Sequence, residues 1–142
     1  MDENLKKITL FLEKHHVMSL ATCHEDEISA CSLFYAYAKE EQCFIVASSD
    51  ATTHIQHTLQ NPRVAGNILL ETKIVGKIQG VQFRGVFSLL EDEKLGAYYF
   101  KKFPHAMIMR PKLWKIEVDF FKMTDNTLGF GKKILWEKST PL

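Results

Sequence analysis

The densest run of groups able to bind a ligand is Ser48-Ser49-Asp50-Ala51-Thr52-Thr53-His54. It precedes a stretch that reads as a short helix running to Gln60 and stopped by Asn61-Pro62. A helix start gathers backbone N–H groups and the positive end of the helix dipole. Ser48, Ser49, Thr52 and Thr53 therefore lie where a phosphate or another oxyanion can be held. Ordinary N-capping uses the same residue types without a ligand, so the run alone leaves both readings open. His54 adds a ring donor that carries a full charge only below about pH 6.5. His54 and His57 stand one helical turn apart and could share a metal, but no third ligand is spaced to join them, and no metal site is expected.

Other chemistry is sparse. No GxSxG elbow marks a nucleophilic serine, and Leu128-Gly129-Phe130-Gly131-Lys132-Lys133 lacks the spacing and the strand-to-helix context of a dinucleotide fingerprint. Cys23, Cys31 and Cys43 form no CxxC pair, and an odd count leaves at least one thiol free, so reduced core cysteines are expected. Tyr98, Tyr99, Phe100 and Phe103 read as the buried face of a helix. Lys101, Lys102, Arg110, Lys112 and Lys115 read as a solvated basic face.

The chain has 142 residues, with 18 Lys and Arg against 17 Asp and Glu, a formal net charge of +1. That balance disfavours a bulk polyanion binder, so nucleic acid is not an expected partner, although Phe34, Tyr35 and Tyr37 could offer stacking rings. No segment approaches the run of about 20 apolar residues that a membrane-spanning helix needs. Met1-Asp2-Glu3-Asn4-Leu5-Lys6-Lys7 lacks the pattern of a secretory signal, so a cytoplasmic protein is expected. No linker or repeat divides the sequence, and residues 1–142 are read as one domain.

The elements that must position these groups follow from periodicity. Asp2 caps a first helix with Leu5, Ile8, Phe11 and Leu12 on one face. Val17 to Cys23, Ile28 to Ala38 and Cys43 to Ala47 read as three meandering strands, followed by the short helix to Gln60. Val64 to Leu70 is a fourth strand and Ile78 to Leu90 a long fifth, with Gly80 and Gly85 marking bends or bulges. Glu91-Asp92 leads a helix ended by Pro104, and a final pair of strands flanks Asp125-Asn126. In the first of that pair Trp114, Ile116, Val118 and Phe120 alternate with Lys115, Glu117 and Asp119, which predicts one buried face. The sum is a mainly β fold, a closed or nearly closed antiparallel barrel with helical inserts.

This order, with its polar loop, short helix, Asn61-Pro62-Arg63 and glycine-bearing long strand, resembles the FMN-binding split barrel of the pyridoxamine 5′-phosphate oxidase superfamily. Two blocks, Ile78-Gln79-Gly80-Val81-Gln82-Phe83-Arg84-Gly85 and Phe121-Lys122-Met123-Thr124-Asp125-Asn126-Thr127-Leu128-Gly129-Phe130-Gly131-Lys132-Lys133, are similar to its YhbP-like branch. The resemblance spans nearly the whole chain.

The resemblance implies FMN as cofactor and a homodimer with two flavin sites at the subunit interface, each built from both chains. It implies a flavin-dependent oxidoreductase acting on a small molecule. The alternative is a flavin or haem carrier or sensor without turnover, and haem would need an axial ligand such as His54 or His105. Counting back from Asn61-Pro62-Arg63, His54 falls where the oxidases carry a phosphate-binding Lys, and Thr53 where they carry an Arg. Two further family positions fall on Ala47 and Ser48, and the second strand, with Ser32 and Phe34, would run beside the flavin ring. The oxidases' flavin-contacting Gln falls on Gly80, with Gln82 the nearest candidate. Lys132 or Lys133 could reach the ligand from the partner subunit, with Phe130 stacking on a ring, or the segment could be a glycine turn with solvated lysines.

Overall fold

The computed structural model describes residues 2–139. The first helix, α1 (Glu3–Lys14), is capped by the Asp2 carboxylate, which accepts from the Asn4 and Leu5 amides, and it buries Leu5, Ile8, Phe11 and Leu12. Three strands follow, β1 (Val17–His24), β2 (Glu27–Ala38) and β3 (Cys43–Ala47), and then α2 (Thr53–Gln60). After β4 (Arg63–Leu69) and the long β5 (Gln79–Leu89) come α3 (Glu93–Lys102), β6 (Leu113–Asp125) and β7 (Lys133–Glu137). Short 3₁₀ turns at Val75–Lys77, Pro104–Met109 and Asn126–Leu128 fill connections in which the sequence carries no periodic signal. No helix among the described residues is long and apolar enough to cross a membrane.

All strand pairings are antiparallel, in the order β3-β2-β1-β4-β5-β6-β7. A further pairing of β3 with β6 closes the ring, and β7 is left as an appended strand on β6. The interior is filled by Met18, Leu20, Tyr35, Phe44, Phe83, Ile116 and Phe121, with α1 and Ile55 of α2 packed against the same core. A second cluster lies outside the wall, where Leu95 and Tyr99 of α3 cover Ala36, Ala38, Cys43 and Ile45.

Three sequence readings are corrected here. Phe120 does not share the buried face of Trp114, Ile116 and Val118. Arg84 pairs with Phe120 while Gly85 pairs with Val118, so Asp119 is an extra residue and the parity of β6 flips. Phe121 and Met123 point inward instead, and Phe120 lies outside. Gly85 is required at this bulge, because a Cβ there would lie 2.3 Å from the Glu117 carbonyl oxygen, whereas Gly80 sits in unbroken register between Leu69 and Thr124. The stacking face of Phe34, Tyr35 and Tyr37 is also not formed, since Tyr35 and Tyr37 are buried in the core against Phe44 and only Phe34 is exposed.

Candidate functional site

The loop between β3 and α2 is anchored before it reaches the helix. The Ser48 amide donates to the Lys112 carbonyl at 3.1 Å, and the indole of Trp114 donates to the Ser48 carbonyl at 3.0 Å. Ser49 folds the next turn, its carbonyl accepting from both the amide and the hydroxyl of Thr52, and its hydroxyl accepting from the Ala51 amide. The Thr52 hydroxyl is thereby turned back into the loop. Thr52 is the N-cap residue of α2 but makes no side-chain cap bond, and no acidic residue lies in the first turn. The leading amides of α2 thus keep their positive potential without a capping oxygen.

His54 lies under this end of the helix. Its Nε2 is 2.6 Å from the Ser48 hydroxyl and 3.4 Å from that of Thr52, and only 8% of the residue is exposed. Burial lowers its pKa from the ordinary value, so the ring is neutral at physiological pH. Thr53, beside it, is exposed. At the rim Lys112 Nζ pairs with Asp50 at 3.0 Å and lies 5.2 Å from the centroid of the Trp114 ring. Lys112 is the cation that sequence reasoning assigned to a solvated run. It is 62 positions from Asp50, and only the strand β6 brings it here.

The other positions divide by strand register. β2 pairs with β1 through Phe34 and with β3 from Tyr35 onward, so Phe34 lies where β2 changes partners, one position before the Tyr35–Val46 pair. Phe34 is 58% exposed and meets Phe103 edge to face at 5.4 Å, and Ala47 at the end of β3 packs against the α3 cluster. Ser32, also exposed, follows along β2. Ser32, Phe34, Ala47 and the loop to His54 therefore border one region. Gln82 does not belong to it within one chain. It is reached from Ser32 through Ser19 and Asn67, three strand spacings or about 14 Å away. Lys132 is more remote still. Its carbonyl accepts from Asp125 opposite Gln79, at the other end of β5 from Phe87, whose amide donates to Pro62 just after α2; those eight residue steps span about 27 Å.

His54 and His57 diverge. His57 is buried, with Nδ1 2.8 Å from the Thr22 hydroxyl and Nε2 2.6 Å from Glu27. The carboxylate requires a donor, which makes Nε2 the protonated nitrogen and Nδ1 the acceptor from Thr22 when the ring is neutral. This Thr–His–Glu chain has the order of a nucleophilic triad, but Thr22 is 2% exposed and faces inward. Its role is mechanical. With the Asn61 amide donating to the Cys23 carbonyl, it clamps α2 onto β1 and the β1–β2 turn.

In chemical terms the α2 end offers amides, hydroxyls and a ring nitrogen to a monoester phosphate. Among the described residues the permanent cation at this end, Lys112, is already paired with Asp50. Those donors fit the phosphate of FMN, with exposed Phe34 and Ser32 on the adjoining wall for a flat ring.

The pattern of the pyridoxamine 5′-phosphate oxidase family matches residues 5–123. A UPF0306 protein of Enterobacter sp. strain 638 is 40% identical over 137 residues, covering 94% of this chain and 96% of its own. The UPF0306 protein YhbP of Salmonella arizonae is 36% identical over 137 residues, covering 94% and 93%. Among solved structures, a heme binding protein from Mycobacterium smegmatis superimposes with a TM-score of 0.73 at 18% identity, over 95% of this chain and 57% of that one. An FAD-binding protein from Mesorhizobium loti gives 0.70 at 18% identity, over 83% and 90%. At such identities the two structures share the split-barrel fold.

Proposed function

The chain belongs to the UPF0306 family within the pyridoxamine 5′-phosphate oxidase-like split barrels, and from that premise we propose that it binds FMN, with the phosphate on the amino terminus of α2. The observation that carries this reading is the uncapped first turn of α2, ringed by Ser48, Thr52, Thr53 and His54. The amides and Thr53 hold the phosphate oxygens, and the Ser48–His54 bond orients the ring nitrogen. Phe34, Ser32 and Ala47 border the flavin ring. When bound, the flavin supplies electron transfer with a small-molecule substrate, and the chain supplies position and polarity.

The protein acts as a homodimer in this reading. On the outer wall Val17, Ser19, Ala21 and Cys23 of β1 lie opposite Phe34, Ser32, Ala30 and Ile28 of β2. Ile28 is 77% and Phe34 58% exposed, and the residues between them are small, which makes a flat apolar face suited to a second copy. Gln82 and Lys132, too far away within one chain, approach the flavin from the partner.

The test is to purify the protein without cofactor, add FMN or riboflavin, remove the excess by gel filtration and record the visible spectrum. Flavin bands that co-elute with a dimer, with riboflavin held at least tenfold more weakly and FMN weakened by Thr53→Ala and His54→Ala, are the expected result. A protein that stays colourless overturns the proposal, and a Soret band in the purified protein replaces it with haem binding.

A further inference from the structure

Gly96 brings α3 close to the end of β5 and the start of β6. A Cβ there would lie 3.2 Å from Leu113 Cδ1 and 3.6 Å from Leu90 Cδ2. The Leu90 amide donates to the Leu113 carbonyl at 3.1 Å, which fixes the two strand ends against each other. A groove of about 290 Å³ opens beside this contact, with Leu90, Gly96, Ala97, Phe100, Met107 and Leu113 as its apolar lining. Met107 comes from the 3₁₀ turn Pro104–Met109 that follows α3.

The rest of the lining carries one sign of charge. Glu91, Asp92 and Glu93 are consecutive where the chain leaves β5 and enters α3, and all three border the groove. Asp92 is the N-cap and accepts from the Lys94 amide at 2.8 Å. No ion pair among the described residues engages Glu91 or Glu93. No Lys, Arg or His among the described residues lines the groove. Glu93, Ala97 and Phe100 form one row along α3, and at about 3.6 residues per turn Lys94 and Lys101 stand about 80–100° round the helix from Glu93. The start of a helix carries about half a unit of positive charge, which three carboxylates outweigh.

We infer that this groove binds a small hydrophobic amine in its ammonium form. The apolar body lies over Gly96, Ala97 and Leu113, and the ammonium sits between the carboxylates of Glu91 and Glu93. Burial of the body favours any ligand of the right size, whatever its charge. The carboxylates then set the sign, attracting a cation and repelling an anion of the same shape. The groove shares no residue with the α2 loop, the β1–β2 wall, Gln82 or Lys132, so it stands whether or not the chain holds a flavin.

The test uses phenethylamine as the probe, with phenethyl alcohol as its neutral counterpart and hydrocinnamate as the anion. Each is titrated into the isotope-labelled full chain at neutral pH while amide chemical shifts are recorded. The amine is expected to shift the Gly96, Ala97 and Leu113 amides and to saturate at millimolar concentration, the alcohol to bind about tenfold more weakly, and hydrocinnamate not to bind. Added salt should weaken the amine and leave the alcohol unchanged. Glu91→Gln combined with Glu93→Gln should lower the amine to the affinity of the alcohol. Ala97→Phe, at an exposed position of the helix, fills the groove and should abolish binding of both with the circular dichroism spectrum unchanged. Absence of amine-dependent shifts at these amides, an alcohol held as tightly as the amine, or amine binding untouched by the substitutions overturns the inference. A change of oligomeric state with Ala97→Phe and no amine bound to the parent assigns the groove to a subunit contact and overturns it as well.

Discussion

His54 shows how one residue couples the candidate site to pH. Burial lowers its pKa, so the free protein carries a neutral ring at neutral pH. A dianionic phosphate at the helix end favours the imidazolium, so the complex binds more protons than the free protein in the interval between the two pKa values. FMN affinity should therefore rise as pH falls from 8.5 to 6.5, and His54→Gln should flatten that slope. Fluorescence titration across this range measures it, and a parent slope equal to that of the variant removes His54 from the phosphate site. His54→Lys replaces a switchable donor with a permanent charge and is expected to tighten FMN by about 1 kcal/mol. The hydroxyl run and His54 were legible in the sequence as a candidate anion site or an ordinary helix cap, because N-terminal amides and capping residues are a local signal. The place of Lys112 at the rim of the α2 loop was not legible, because it depends on Asp50, 62 positions away in the chain.

At the scale of elements, α1, the meander, α2 and α3 all form within a few residues of where apolar spacing and caps place them. Two features escaped that reading. The 3₁₀ turns carry no periodicity, and the bulge at Asp119 interrupts an alternation that looks unbroken in sequence. The bulge makes a sharp expectation about Gly85. Gly85→Ala places a methyl group against the Glu117 carbonyl and should cost about 1–3 kcal/mol. Gly76→Ala, in open space on the β4–β5 connection, should be near neutral. Urea denaturation of the two variants checks the contrast, and equal stabilities would mean that the β5–β6 bulge relaxes freely. The His57 clamp belongs to this scale too, since it joins α2 to β1 and β2 through two bonds that no spacing rule anticipates.

For the whole molecule, the closing pair β3–β6 leaves β7 as an appended strand and sets the β1–β2 wall on the outside. That wall exposes Ile28, Val17 and Phe34 around Ser19, Ala21, Ala30 and Ser32. A second copy seated there would bury Ala30, so Ala30→Glu should place an unpaired carboxylate in the contact and yield a folded monomer. Sedimentation velocity on parent and variant reads the outcome; a monomeric parent, or a variant that dimerises as the parent does, places the subunit contact elsewhere or removes it.

The sequence alone determined the order of helices and strands, the mainly β barrel class and the resemblance to the split-barrel family, and it offered the start of α2 as a candidate place for an oxyanion. Each of these rests on interactions between residues close in the chain, or on long blocks of matching residues. The tertiary structure alone decided the parity of β6 beyond Asp119, the inward turn of Tyr35 and Tyr37, and the separation of Gln82 and Lys132 from α2. Ring closure and cross-strand register place residues by the count along several strands at once. One extra residue or one change of partner then moves a side chain to the other face or to another site.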